Sequence, residues 1–363
     1  MVKHLIFWTG LLLGLLSGLY AQEDSTYVEE EIDWSQYDFA DEGAKRFCSN
    51  KIIGLSPSQF ISLGYDVQGP YEMRLSDIGS YQSDEDPDRE ASRVLATHGV
   101  RLGVNVPLYS RNSLVVQLGG RIWDTQYAFD DPSALSNPVA QALNENGLRI
   151  FGLNTTIFKP LNDKHFLVIQ AQADLAGDYA LDEFQSLRYL RYSGAALFGW
   201  RTSDYLQWGL GVSRTYRVGN LNYVPIIMYN WTSRSSNWGT EILFPARANV
   251  RYTFNTRNMA FFGFELQGQS YRLNDLSEAE FDGESLEIRR GEMRWRFMWQ
   301  RQLAGFIWLQ AQAGWRYNWS YDADLLPEGR EFFRGFFGDQ PFAMLNQVGN
   351  PFYANVSLNF VSP

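Results

Sequence analysis

The sequence predicts an all-β fold, a closed antiparallel up-and-down transmembrane β-barrel of about 14 strands, with 12–16 compatible. Three observations lead there: long stretches of period-2 alternation, aromatic side chains gathered near strand ends, and connections that alternate between short and long.

The chain opens with a segment of different character. In residues 1–21, Lys3 precedes an apolar run from Leu5 to Tyr20 that ends at the small Ala21. This pattern reads as a cleaved secretory signal peptide, because a membrane helix wants about 20 apolar residues. Gln22 would lead the mature chain, so attachment of lipid to an N-terminal Cys is not supported. Residues 22–58 carry Glu23, Asp24, Glu29, Glu30, Glu31, Asp33, Asp41 and Glu42 without a clear period. They read as an acidic N-terminal extension, periplasmic or lumenal, with Trp34, Tyr37 and Phe39 available to dock it. The barrel is assigned to 59–363.

Alternation carries the strand assignments. Val94, Ala96, Val100, Leu102, Val104, Val106 and Leu108 share one face, opposite Thr97, Gly99, Arg101, Gly103 and Asn105. Leu167, Ile169, Ala171, Ala173 and Leu175 oppose Gln170, Gln172 and Asp174, and Ile307 to Trp319 opposes Gln310, Gln312, Gly314, Arg316 and Asn318. The last strand sets Phe352, Ala354, Val356, Leu358 and Phe360 against Tyr353, Asn355, Ser357 and Asn359. A water-soluble sandwich also alternates. These stretches reach about 10 residues or more where globular strands average about five or six, and their polar face suits a wet or ion-paired lumen. Aromatics cluster at Trp200, Tyr205 and Trp208, at Tyr229, Trp231 and Trp238, and at Tyr317, Trp319 and Tyr321, as membrane-interface girdles require.

Short links fall at 109–112, 160–164, 202–204, 233–236, 255–258 and 301–304, and long polar ones at 76–92, 130–147, 176–188, 273–285 and 322–350. That rhythm puts the short turns in the periplasm and the long loops outside. In 237–254 a single parity crosses Pro245, which lacks the donor a central ladder needs, so two strands joined by a bend there are favoured over one. The acidic segments 83–90 and 277–287 read as solvated loops, lacking the spacing of a calcium loop. Phe332, Phe333, Phe336, Phe337 and Phe342 give the last connection an aromatic cluster, assigned to the barrel mouth in preference to a partner surface.

The segments KRFCSNKIIGLSPSQFISLGYDVQGPY (45–71), FPARANVRYTF (244–254), GFELQGQSYRL (263–273), LEIRRGEMRWRF (286–297), RQLAGFIWLQAQAGWRYN (301–318) and SLNFVSP (357–363) resemble a domain-of-unknown-function family of Gram-negative outer-membrane β-barrel proteins. The resemblance implies an outer-membrane location and a single barrel. It brings no substrate and no catalytic residue.

Composition narrows the function. The net charge of −10 argues against nucleic-acid binding, a single Cys excludes a disulfide scaffold, and three scattered His make a metal centre improbable. No cofactor is expected. Of the two His beyond the signal peptide, His98 shares the lipid-facing parity and His165 sits in a turn, so no base is placed beside a lumenal nucleophile, and an enzyme, including a membrane-embedded hydrolase, is disfavoured. Inward parity collects Arg101, Arg121, Arg191, Arg201, Arg247, Arg251, Arg290, Arg294, Arg296 and Arg316 against Asp66, Asp174, Glu241, Glu265 and Glu292. Two readings stay open: a basic lining that favours anions, or Arg–carboxylate pairs that brace the lumen. The lining candidates are Arg290, Glu292, Arg294, Arg296, Arg251, Arg316, Glu265 and Glu241, with the stripe at 290–296 as the constriction. The expected function is a passive or weakly selective pore for small polar solutes. The alternative is a plugged barrel with a structural or ligand-binding role. Expected partners are membrane lipid, lipopolysaccharide, the barrel-assembly machinery during insertion, and a small polar solute.

Overall fold

The computed structural model describes residues 52–79, 88–179, 190–216, 222–273, 285–326 and 342–361. The signal-peptide assignment, most of the acidic extension with Cys48, most of both acidic segments, and Phe332, Phe333, Phe336 and Phe337 lie outside the described residues.

Nineteen strands form one sheet. The first six are β1 (Gln59–Gln68), β2 (Tyr71–Ser76), β3 (Arg89–Arg111), β4 (Leu114–Phe129), β5 (Leu148–Pro160) and β6 (His165–Gly177). Next come β7 (Leu190–Ser203), β8 (Leu206–Thr215), β9 (Asn222–Thr232), β10 (Trp238–Phe244), β11 (Arg247–Asn255) and β12 (Asn258–Leu266). The remainder are β13 (Gln269–Leu273), β14 (Ser285–Ala304), β15 (Ile307–Ser320), β16 (Ala323–Leu326), β17 (Phe342–Met344), β18 (Gln347–Val348) and β19 (Phe352–Val361). Among the described residues, one α-helix, α1 (Pro138–Glu145), follows a 3-10 turn at Pro132–Ala134 between β4 and β5.

The sheet closes on itself at β1, which pairs antiparallel with β3 on one side and β19 on the other, so that Leu63 faces both Leu102 and Leu358. Following the pairs around through β3–β12, β14, β15 and β19 returns to β1 after 14 strands. Closure leaves this ring no unpaired edge, which is the condition for a sheet to cross lipid.

The two faces separate as the alternation predicts. On β19, Val356 and Leu358 are 53% and 44% exposed while Asn355 and Ser357 are 4% and 5% exposed. The outer surface carries two aromatic bands. One, at the short-turn end, includes Trp200 stacked on Trp208 at 4.3 Å and the Trp238–Tyr252–Phe254 row. The other includes Trp295 with Phe264 and Trp315 with Tyr317. Leu and Val between such bands present the apolar height that acyl chains cover. Tyr321 departs from the expected girdle and is buried inside.

The short links hold, with small shifts: β3 runs on to Arg111, and β14 runs to Ala304 with its turn at Gly305, whose φ of +48° favours a residue without Cβ. Pro245 and Ala246 join β10 to β11, the two-strand reading of 237–254. This turn faces the long-connection end and leaves a low wall, since β10 has 7 residues while β3 has 23 and β14 has 20.

The taller side is filled rather than open. Arg272 of β13 pairs with Gly177 of β6, and Glu287 of β14 meets Arg191 of β7, so the outer end of β14 reaches across to the β6–β7 wall. Residues 342–348 join this narrower ring, pairing β16 at one end and β2 at the other. Inside it lies a dry core of Met73, Leu75, Val94, Leu143, Ile288 and Met344 with their neighbours. Val94 belongs to this core and not to the outer face expected for it, because the register shifts between Val94 and Ala96. A bulge of one residue reverses the facing of all that follows.

Helix α1 falls within 130–147, where the sequence predicts a long polar connection. Asn137 caps it by accepting from the Val139 amide at 3.0 Å, and Pro138 suits its first turn. Its buried face, Val139, Ala140, Ala142 and Leu143, adds to the core. Gly147, at φ +67°, ends it by donating to the Leu143 carbonyl.

If the exposed face of β19 meets acyl chains, Val356→Arg should cost about 2–4 kcal/mol, read as a lower urea midpoint for unfolding from lipid vesicles.

Candidate functional site

Period-2 geometry on β14 aims Ile288, Arg290, Glu292, Arg294, Arg296, Met298 and Gln300 inward in succession. These residues trace three tiers: the apolar core at Ile288, a charged layer from Arg290 to Arg294, and a polar cavity from Arg296 to Gln300.

Glu292 is the hub of the charged layer. Its carboxylate accepts from Arg290 Nε at 2.8 Å and Arg294 Nε at 2.7 Å, with Arg316 Nη1 at 3.7 Å. Arg294 reaches on to Asp66 at 2.7 Å, and Arg101 pairs with the same Asp66. The Trp123 ring lies under Arg101 at 3.9 Å, with Arg290 at 5.3 Å and Arg294 at 5.5 Å. Arg316 covers the Tyr71 ring at 4.9 Å and donates to Gln68. Glu292 and Arg294 are 0% and 1% exposed. Charges so far from water persist only when paired and hydrogen-bonded, and cation–π contacts add to that pairing.

Further pairs line the wall. Arg121 grips Asp174 through two bonds of 3.0 and 2.7 Å, and Arg191 grips Glu287 at 3.2 and 2.9 Å. Arg296 pairs with Glu265, Arg149 with Asp124, and Arg289 with Asp324. Such two-point contacts exploit the guanidinium fork. Asp124, Glu287 and Asp324 were missed as partners. Parity could have flagged none of them, because Glu287 and Arg289 lie on the opposite parity of β14 and are buried only because its outer end leaves the wall.

A cavity of about 740 Å³ occupies the short-turn half of the lumen. Of the eight expected lining residues, Arg296, Glu265 and Glu241 line it. Arg290, Glu292, Arg294 and Arg316 are instead sealed in the charged layer, and Arg251 is buried against Glu241 at 3.5 Å and Thr232 at 3.0 Å. The ion-paired reading therefore describes the 290–296 stripe better than a bare basic ring. Arg247 lines the cavity, exposed, with no carboxylate partner among the described residues. The interior is also less polar than expected: Phe158, Phe166, Leu197 and Ile226 form an inward-facing cluster along one wall.

Residues 53–58, just before β1, lie against the cavity. Ser56 donates its amide and its hydroxyl to Glu241 at 3.0 and 2.7 Å, and the Ile53 amide donates to the Asp204 carbonyl at 2.8 Å. Leu55, Ser56, Pro57 and Ser58 thereby form part of the cavity wall.

Removing the hub charge leaves three guanidiniums around a neutral amide. Glu292→Gln should destabilise the barrel by about 3–5 kcal/mol, measured by urea unfolding in vesicles. Glu241→Gln, where the carboxylate is 15% exposed and serves one guanidinium instead of three, should cost less in the same assay.

Comparison with known proteins adds a family. No curated protein matches the chain. Among solved structures, an outer membrane channel from Pseudomonas putida F1 is 12% identical, with 85% of this chain and 97% of that one covered and a TM-score of 0.36. The P. putida toluene transporter TodX gives 10% identity, 85% and 92% coverage and a TM-score of 0.37. The KdgM porin, solved with oligogalacturonate, gives 8%, 83% and 99%, and 0.31. Residues 80–300, more than half of the chain, match the family described as Domain of unknown function (DUF6268), and the chain belongs to that family.

Proposed function

We propose that this barrel is a passive, weakly selective conduit for small polar solutes in the outer membrane. The observation that carries the reading is a polar-lined cavity inside a closed wall whose outer face is apolar. The short turns then face the periplasm and the long connections the cell exterior, with lipid and lipopolysaccharide around the wall and the assembly machinery engaged at insertion. The route cannot follow the barrel axis, because the apolar core and charged layer fill the outer half along β3–β6 and β14. It runs from the mouth near Gln59 and Gln310, past Arg296, to Arg247, Glu265 and Gln267 beside the low wall.

That same filling supports a second reading, a plugged barrel with a structural or binding role. Enzymatic readings gain nothing from the imidazoles. His98 stacks on Tyr65 at the outer surface, and His165, the first residue of β6 rather than part of the turn, is held by Asn162.

Planar-bilayer recording separates the two readings. The conduit should give a steady open-state current with a slight anion preference, since Arg247 is the lining cation without a carboxylate. Arg247→Glu should shift the reversal potential toward cations. Absence of current at every voltage, from protein shown to be folded by heat-modifiable gel mobility, overturns the conduit and favours the plug.

A further inference from the structure

We propose that the lumenal cavity recognises an uncharged, hydroxyl-rich solute with one apolar face, the chemistry of a small neutral saccharide. The inference deepens the conduit reading, on which it rests for any transport role.

The charges of the cavity are largely spent on one another. Arg296 pairs with Glu265 and Arg251 with Glu241, Arg101 shares Asp66 with Arg294, and Arg247 is the lining charge with no ion-pair partner among the described residues. What remains is amide. Twelve of the lining residues are Gln or Asn, including Gln300, Gln310 and Gln312 on β14 and β15. A neutral amide offers donors and acceptors together, as does a hydroxyl, so a polyol can satisfy many of them without either side giving up a full ionic hydration shell.

Six buried lining atoms without a hydrogen-bond partner among the described residues point more narrowly: Asn105 Oδ1, Gln207 Oε1 and Asn249 Oδ1 accept, Arg101 Nε and Arg296 Nε donate, and Ser357 Oγ can do either. A hydroxyl meets both kinds, whereas a carboxylate can only accept. Across the ring from the β14–β15 amides, Val168, Leu197, Ile226, Met228 and Leu243 give the cavity an apolar wall. The C–H face of a pyranose suits that wall. The volume, about 740 Å³, lies within the ~300–1,000 Å³ common for small-molecule sites.

The test uses the full chain in a zwitterionic, sugar-free detergent, with calorimetric titration of maltose and of maltobionate, its aldonic-acid counterpart. Maltose should bind, and maltobionate about tenfold more weakly. Gln207→Leu with Asn249→Leu should weaken maltose binding by about tenfold, in protein that keeps its heat-modifiable mobility. Maltobionate binding as tightly as maltose, or binding of neither sugar, overturns the inference. The wild-type comparison holds even if the double variant does not fold. In bilayers, current that maltose fails to block overturns the inference while the conduit stands. Binding without current keeps the site and removes the conduit.

Discussion

Closure of the hydrogen-bond ring is the constraint from which the rest follows. Hydrocarbon offers no water to an unpaired amide or carbonyl, so each strand must find partners on both sides. The seam of β1 with β19 and β3 supplies the last of these pairings. Once the ring is shut, the pleat assigns each residue to lipid or to lumen. The Leu63–Leu102–Leu358 row can only face acyl chains, and the Asp66, Arg101 and Arg294 side chains can only face one another.

Inside, most charges are paired, though not one to one. The ten inward arginines outnumber the five inward acids, and sharing spreads the excess without cancelling it: Glu292 serves three guanidiniums and Asp66 two. Aromatic rings at Trp123 and Tyr71 take further faces of the same cations. The layer is thus a partition between an apolar core on the long-connection side and a polar chamber on the short-turn side, and the polarity of the lumen is local rather than uniform.

Much of this architecture was legible because the pleat has a period of two and a barrel has two unlike surroundings. The outward row of β19, the bend at Pro245 and the inward set on β14 follow from alternation and from proline's missing donor. What alternation cannot show is the distance across the lumen. It could not tell that Arg294 meets Asp66, 228 positions away, or that Arg251 is closed off by Glu241 and Thr232. It also fails where the regular wall stops. The bulge before Ala96 inverts Val94, and the inward crossing of β14 buries Glu287 on a face that parity assigns to the exterior. Helix α1 escaped notice because 8 residues with four apolar positions are too short a signal beside long strands.

The low wall at β10 also bears on the surrounding bilayer. Its 7 residues, rising about 3.3 Å each at a tilt near 40°, reach a height of about 18 Å, against the ~25 Å apolar band usual for such barrels. Trp238 at one end and Phe244 at the other mark those limits on the surface. Acyl chains beside β10 and β11 must shorten or splay to match, whereas those beside β3 need not. The circumference therefore compresses lipid unevenly, and the bilayer is thinnest, and easiest for polar groups to breach, at the sector where the chamber comes nearest the rim.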